Sequence, residues 1–167
     1  MAKTLGVAVL GTGWVSTEIL RAFELNPHTE VRVICGADEP RARARLAEAG
    51  IRNPVRFTSS ADDAIHDPQV SCVSICNRPD LHAKHTIAAA RARKHILLEK
   101  PVCLSLKDLW AMQDAVAKAG VKTVVSFVLR WNPLFDIIRA LMDDKAIGEV
   151  FYGEVDYYHG IGPWYRQ

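Results

Sequence analysis

The fold of this chain is decided near its N-terminus by the stretch Val7–Ser16, which reads VAVLGTGWVS. An apolar run ends in two glycines spaced G-x-G, and a helical pattern begins directly after them. Gly11 can adopt the positive φ of a sharp turn, and Gly13 has no Cβ to keep a phosphate away from the backbone. The order of strand, glycine turn and helix predicts a dinucleotide site at the N-terminus of the helix, with an empty structural turn as the alternative.

Strand-like apolar runs alternate with helical patterns along the rest of the chain. This alternation predicts right-handed βαβ units, and therefore an α/β protein whose doubly wound parallel sheet has the Rossmann fold. Ligands bind such sheets at the carboxyl ends of the strands, where we expect the polar exits of the strands to gather. These exits are Gly11–Gly13, Gly36–Asp38, Cys76–Pro79 and Glu99–Pro101.

The composition disfavours several classes of partner. A net charge of +2 on 167 residues predicts neither a nucleic-acid partner nor a membrane surface, and no apolar run approaches the about 20 residues that span a bilayer. The cysteines lack further ligands at metal spacing, so we expect no metal site and reduced thiols, as in a cytoplasmic protein. They are Cys35, Cys72, Cys76 and Cys103.

Short motifs follow one another along the chain: GTG at 11–13, NRPDLH at 77–82, KHILLEKP at 94–101, RWNP at 130–133 and IGEV at 147–150. Through these motifs the chain resembles the Gfo/Idh/MocA oxidoreductases, the family of glucose–fructose oxidoreductase and inositol dehydrogenase. Each motif is modest alone, and their order and spacing make the resemblance specific. The resemblance extends from Leu5 to about Gln167.

The resemblance implies an NAD(P)-binding Rossmann domain over residues 1–125. Residues 126–167 are then expected to begin a truncated α+β domain for substrate binding or oligomerisation. The implied activity is that of an NAD(P)-dependent dehydrogenase, which transfers a hydride between nicotinamide and a sugar, polyol or related secondary alcohol or carbonyl.

The resemblance also implies roles for single residues. Lys100 matches the lysine that holds the substrate and the nicotinamide ribose, and it is the expected catalytic residue; its ammonium can polarise a carbonyl. Pro101 matches a cis-proline, and Glu99, Asn77 and His82 are expected to line the cofactor. The other predicted cofactor-binding residues are Gly11, Thr12, Gly13, Trp14, Val15, Asp38 and Arg41.

The position that usually offers an acid to the adenine ribose is Gly36 here. A carboxylate at this point repels a 2′-phosphate, so its absence, with Arg41 close by, predicts that NADP binds more tightly than NAD. Asp38 is the counter-argument, because it can reach the ribose of NAD. Arg43 and Arg45 are interpreted as a solvated helix face.

Two further positions depart from the family pattern. Arg93 stands where the family carries a glycine at a helix end, so we expect this helix to end differently.

The alternating residues Glu149–His159 predict a long strand that begins the second domain. His159 does not match the catalytic histidine of the family, which, together with a nearby aspartate, the resemblance places beyond residue 167.

We therefore expect the cofactor half of a longer enzyme, with little or no turnover from this chain alone. The alternative is a stand-alone NAD(P)-binding module, acting as a sensor or as a subunit. An isolated apolar strand invites pairing with another chain, so a homo-oligomer formed through the C-terminal strand is expected, with a disordered or folded-back tail as the alternative.

Overall fold

The computed structural model describes residues 4–158, and the chain divides into two units, Met1–Phe127 and Val128–Gln167. Strands and helices alternate through the first unit, as the sequence pattern predicts. The strands are β1 (Leu5–Leu10), β2 (Thr29–Cys35), β3 (Arg56–Thr58), β4 (Cys72–Ile75), β5 (His95–Leu98) and β6 (Thr123–Val125). The helices of this unit are α1 (Trp14–Leu25), α2 (Glu39–Ala49), α3 (Ala61–Ile65), α4 (Pro79–Arg91) and α5 (Leu106–Ala119).

The six strands form one parallel sheet in the order β3-β2-β1-β4-β5-β6. This order confirms the predicted Rossmann fold. The chain builds outward from β1 to β3 and then crosses to the other side of β1, where β4 pairs with it. The switch point between β1 and β4 opens a crevice beyond the carboxyl ends of these strands, which is where ligands of such sheets bind.

The core has two parts because β1 is buried on both of its faces. Val7 and Val9 pack in a cluster with residues of α1 and α2, whereas Ala8 and Leu10 pack in a cluster with residues of α4 and α5. All four side chains are fully buried. This near-continuous apolar run is typical of the central strand of a parallel sheet, and it holds the glycine turn on a rigid support.

Helix α4 ends at Arg91, and Arg93 adopts the left-handed conformation with φ 55°. The expectation that this helix would end differently is therefore wrong. The N–H of Lys94 donates to the carbonyl of Ala89, and the N–H of Arg93 donates to the carbonyl of Ala90, both at 2.9 Å. These two bonds form the helix ending in which glycine is usual, because they satisfy carbonyls that the helix leaves free.

Replacing Arg93 by glycine should raise the free energy of unfolding by about 1 kcal/mol, because glycine adopts a positive φ without strain at Cβ. Urea titration of both proteins measures the difference. The matched control is Ala92→Gly, one residue earlier, where φ is −78° and glycine should lower the stability by about 0.5–1 kcal/mol. An Arg93→Gly protein no more stable than the wild type would contradict the prediction.

The second unit contains a 3₁₀ turn at Val128–Trp131 and helix α6 (Pro133–Asp143), which Asn132 caps through Leu134 N–H. The predicted strand at Glu149–His159 is wrong for residues 149–158, which form no strand, and His159 lies outside the described residues. A strand needs a neighbour to complete its hydrogen bonds, and the described part of this unit offers none. Across residues 4–158, no helix has both the length and the apolar character needed to cross a membrane.

Candidate nucleotide-binding crevice

The polar exits of four strands lie side by side at one edge of the sheet. The N–H of Gly11 donates to Cys35 O at the end of β2, and the N–H of Cys76 donates to Leu10 O at the end of β1. The N–H of Glu99 in turn donates to Ile75 O at the end of β4. Each of these bonds is 2.9 Å long. They bring the glycine turn and the segment around Lys100 to the same crevice.

Gly11 is required by the protein itself. Its φ is 130°, and a Cβ at this position would lie 2.7 Å from the carbonyl oxygen of Cys76 and 2.9 Å from the backbone nitrogen of Asn77. Both atoms belong to the backbone that follows β4, so they cannot rotate away. The turn after β1 therefore rests directly on the exit of its neighbour in the sheet.

Gly13 is different, because nothing in the protein requires it to be glycine. Its φ is −69°, which any residue can adopt, and a Cβ there would meet no atom within 4 Å. The space in front of Gly13 is open, so the backbone there is accessible to a ligand that approaches it closely.

Gly13 is the N-cap residue of α1 and provides no side-chain cap, whereas Asp38 caps α2 and Ser105 caps α5. The first backbone N–H groups of α1 are consequently not covered by a side chain, and they carry the positive end of the helix dipole. Ser16, which replaces the third glycine of the motif, is fully buried, and its hydroxyl donates to Gly13 O at 2.6 Å. A phosphate fits this helix end.

At the exit of β2, the Asp38 carboxylate is occupied as a helix cap, because Oδ1 accepts from Arg41 N–H at 2.7 Å. A Cβ on Gly36 would lie 2.5 Å from Cγ2 of Thr12. The methyl group of Thr12 thus fills the space that an acid at position 36 would need. Among the ion pairs of residues 4–158, none involves Arg41.

The interpretation of Arg43 and Arg45 as a solvated face fits Arg43 in part. Its side chain is half exposed and pairs with Glu39 at 2.8 Å, but its guanidinium also donates to Val55 O at 2.7 Å. The side chain of Arg45 is 21% exposed and pairs with Glu48 at 2.6 Å. Its Nε also donates to Thr12 O at 3.4 Å, within the glycine turn. The Arg45–Glu48 spacing is visible in the sequence, but the contact with the turn depends on how α2 packs beside α1.

Glu48 joins the two helices that flank the turn. Arg45 and the hydroxyl of Thr17 both hydrogen-bond its carboxylate, and these bonds lower the pKa of Glu48, with Arg45 the larger cause. This cluster was not predicted from the sequence. The cluster also supports the glycine turn, because Arg45 donates a hydrogen bond to Thr12 O.

Beyond β5, the carboxylate of Glu99 is buried, with 8% of the residue exposed, and its Oε2 accepts from Lys100 N–H at 3.1 Å. The Lys100–Pro101 peptide bond is cis, as the resemblance implies, and Lys100 is exposed. The exposed ammonium of Lys100 therefore lies at the edge of the crevice. The buried carboxylate of Glu99 next to it accepts a hydrogen bond from the Lys100 backbone.

His82 is fully buried, and each of its ring nitrogens faces a backbone carbonyl. Nδ1 lies 2.8 Å from Pro101 O, and Nε2 lies 3.1 Å from Asn77 O. Since no part of the ring is exposed, His82 can influence a bound ligand only through the two segments that it joins. The amide Nδ2 of Asn77 lies 2.8 Å from Nδ1 of His85, while Oδ1 of Asn77 is buried without a partner.

Stability should respond to pH through His85. Burial lowers the pKa of His85 from its ordinary value of 6.5, and the positive charges of Lys84 and His82 lower it further. Below this ordinary value the unfolded chain takes up a proton that the folded chain resists, so the contribution of His85 to the free energy of unfolding should fall as pH drops from about 7.5 to about 5.5. Urea titrations of wild type and His85→Gln across this range measure the effect.

The His85→Gln protein should lose part of that slope, because glutamine does not titrate. The exposed His66, which follows α3, provides a matched control. Parallel curves for wild type and His85→Gln would show that His85 is not the group responsible.

The cysteines are free thiols rather than disulfides. Burial raises the pKa of Cys35 and of Cys72 to about 11, and that of Cys76 to about 12. These thiols consequently stay protonated and unreactive near neutral pH. Within the described part of the chain, no group of three or more His, Cys, Asp or Glu side chains is arranged to hold a metal ion.

A Rossmann sheet with an open, uncapped glycine turn at its switch point defines a dinucleotide-binding domain. The chain belongs to the Gfo/Idh/MocA oxidoreductases, because the model of the NAD-binding Rossmann fold of this family matches residues 5–127. This match confirms the resemblance found in the sequence motifs.

Two relatives illustrate the range of the family. D-apiose dehydrogenase of Paraburkholderia graminis is 31% identical over 150 residues, covering 90% of this chain and 39% of that protein. Myo-inositol 2-dehydrogenase of Thermotoga maritima is 26% identical over 143 residues, covering 86% of this chain and 42% of that protein. The chain thus spans about two fifths of the length of these relatives.

Among solved structures, an NAD-binding protein from Listeria innocua superposes with a TM-score of 0.78 at 26% sequence identity. The superposition covers 89% of this chain and 43% of that protein.

Proposed function

We propose that this chain is the nucleotide-binding half of an NAD(P)-dependent oxidoreductase acting on a sugar, polyol or related secondary alcohol or carbonyl. The observation that carries the proposal is the open space at Gly13, which lies beside the uncapped end of α1. The relatives that act on D-apiose and on myo-inositol support the substrate class. Four free thiols agree with a cytoplasmic location, which we also propose.

In this proposal the pyrophosphate binds the glycine turn and the first N–H groups of α1. When bound, the nicotinamide supplies or accepts the hydride. Lys100 holds the nicotinamide ribose and places its ammonium near the reacting oxygen of the substrate, where it stabilises developing negative charge. The residues that we assign to cofactor binding are Gly11, Thr12, Gly13, Trp14, Val15, Asp38, Arg41, Asn77, Glu99 and Lys100, with His82 acting through the backbone around it.

Titration with reduced nicotinamide nucleotides, followed by fluorescence and by thermal shift, tests whether the chain binds its cofactor. Saturable binding with a rise in the unfolding midpoint is expected, because a ligand that binds only the folded state stabilises it. A chain that binds neither NADPH nor NADH at millimolar concentration would refute the proposal.

We further propose that NADP binds more tightly than NAD. The carboxylate of Asp38 already accepts a hydrogen bond from Arg41 N–H, and Thr12 excludes an acid at position 36. The Arg41 guanidinium remains available for a 2′-phosphate. Arg41→Ala should weaken NADPH binding by about tenfold, as expected for loss of one charged hydrogen-bonding partner, and leave NADH binding nearly unchanged.

Arg52→Ala is the matched control for that experiment. Arg52 is an exposed arginine that follows α2, and it belongs to none of the proposed contacts. NADH binding as tight as NADPH binding in the wild type would overturn the preference. So would an equal effect of Arg41→Ala on both nucleotides.

We propose that residues 126–167 begin a substrate or oligomerisation domain. The competing function is a stand-alone NAD(P)-binding module. This chain matches about two fifths of the length of the two relatives. A panel of polyols and sugars assayed with NADP distinguishes the two functions, with little or no turnover expected from this chain alone. Light scattering then tests the homo-oligomer, which a monomeric particle would contradict.

A further inference from the structure

The ring of His82 lies between two hydrogen-bond acceptors. Its Nδ1 is 2.8 Å from Pro101 O, and its Nε2 is 3.1 Å from Asn77 O. A backbone carbonyl cannot donate, so each contact is a hydrogen bond only when the ring nitrogen carries a proton. A neutral imidazole carries one proton and can satisfy one carbonyl, whereas the doubly protonated ring satisfies both.

The two carbonyls belong to the exits of neighbouring strands. Asn77 follows β4, beside the backbone on which Gly11 rests, and Pro101 follows Lys100 at the exit of β5. A ring that donates to both fixes the distance between the glycine turn and Lys100. These are the parts that a dinucleotide must touch together.

A buried carboxylate precedes the Pro101 carbonyl in the chain. Glu99, two residues before Pro101, is the one buried carboxylate among residues 4–158. His85 offers its Nδ1 as an acceptor to the Asn77 amide, and burial lowers the pKa of His85, which disfavours a positive charge on that ring. The titratable and charged groups on the surrounding segments are Cys76, Arg78, Asp80, Lys84, His85, Glu99, Lys100 and Cys103.

We propose that His82 is a positioning residue whose doubly protonated ring joins the exits of β4 and β5 and thereby sets the crevice for the dinucleotide. Loss of one ring proton releases one carbonyl and loosens the Lys100 segment. Nucleotide affinity therefore falls when the ring loses one of its two protons. The link to affinity rests on the proposed function, whereas the protonation of the ring does not.

The experiment has two arms on the full chain. In the first, ¹⁵N-labelled histidine rings are followed by NMR from about pH 5.5 to 8.5, with amide hydrogen exchange of residues 99–103 measured at the same points. We expect protons on both His82 nitrogens at the acidic end, and faster exchange of the 99–103 segment once one proton is lost.

In the second arm, the Kd for NADPH is measured over the same pH range. In wild type it should rise by about tenfold with pH, the size expected for one hydrogen bond to a charged group. His82→Gln, which cannot carry the charge, should bind weakly at every pH, with a nearly flat profile. His66→Gln removes the exposed histidine that follows α3 and should follow the wild type.

A His82 ring with a single proton at every pH, or a His82→Gln profile parallel to that of the wild type, overturns the proposal. If no nucleotide binds at any pH, the proposed function fails, and the NMR and exchange measurements still decide the role of His82. If His82→Gln does not fold, the wild-type ring titration and exchange remain a sufficient test.

Discussion

Gly13→Asp should lower the affinity for NADPH by at least about 100-fold while the domain becomes slightly more stable. Aspartate is among the best residues for the start of a helix, and Gly13, the N-cap residue of α1, provides no side-chain cap. The new carboxylate should raise the free energy of unfolding by up to about 1 kcal/mol through the cap and the helix dipole. The same carboxylate occupies the open space in front of the turn and repels the pyrophosphate.

Fluorescence titration and urea unfolding of the same protein preparations measure the two effects together. Gly13→Asn is the matched control, because asparagine caps a helix as well as aspartate but carries no charge. We expect it to bind NADPH more weakly than wild type and more tightly than Gly13→Asp. A Gly13→Asp protein that binds NADPH normally would show that the phosphates lie elsewhere, and one that unfolds would show that the glycine is structural.

Gly11→Ala should produce the opposite pattern, a loss of stability of at least about 3 kcal/mol. The positive φ is strained for alanine, and its Cβ would lie 2.7–2.9 Å from backbone atoms of Cys76 and Asn77. Strain and overpacking of this kind each contribute about 1–3 kcal/mol, which is a large part of the stability of a small domain. Urea unfolding and the yield of folded protein measure the loss.

Gly50→Ala is the control that separates strain from collision. Gly50 has a φ of 78° at the end of α2, but a Cβ there would meet no atom within 4 Å. Its replacement should lower the stability by only about 1 kcal/mol. Equal losses for Gly11→Ala and Gly50→Ala would contradict the close packing of the turn against the exit of β4.

The parts of this protein that could be predicted from sequence are those written in local patterns. The apolar run before Gly11 predicts a buried strand, and the order of strand exits places the glycine turn and Lys100 at one edge of the sheet. The caps of α3 and α5 by Ser60 and Ser105 are local in the same way, since each hydroxyl accepts from the backbone N–H three residues later.

The contacts that were not predicted from the sequence join residues that are distant along the chain. Arg45 reaches Thr12 only because α2 packs beside α1, and charged residues on a helix look alike in sequence whichever way they point. His82 gives no local sign that its ring is enclosed between two carbonyls. The end of α4 was predicted wrongly, because the hydrogen bonds at the helix end outweigh the cost of about 1 kcal/mol for a left-handed residue other than glycine.

The close approach of Thr12 to Gly36 restricts how this protein can evolve. An acid at position 36, the simplest route toward NAD, would collide with Cγ2 and Oγ1 of Thr12 at 2.5 and 3.0 Å. Without those two atoms the nearest remaining contact, Cβ of Thr12, lies at an ordinary 3.4 Å. An acid at position 36 therefore requires the Thr12 side chain to shift, and a smaller residue at position 12 removes that requirement, so the coenzyme preference depends on both positions together.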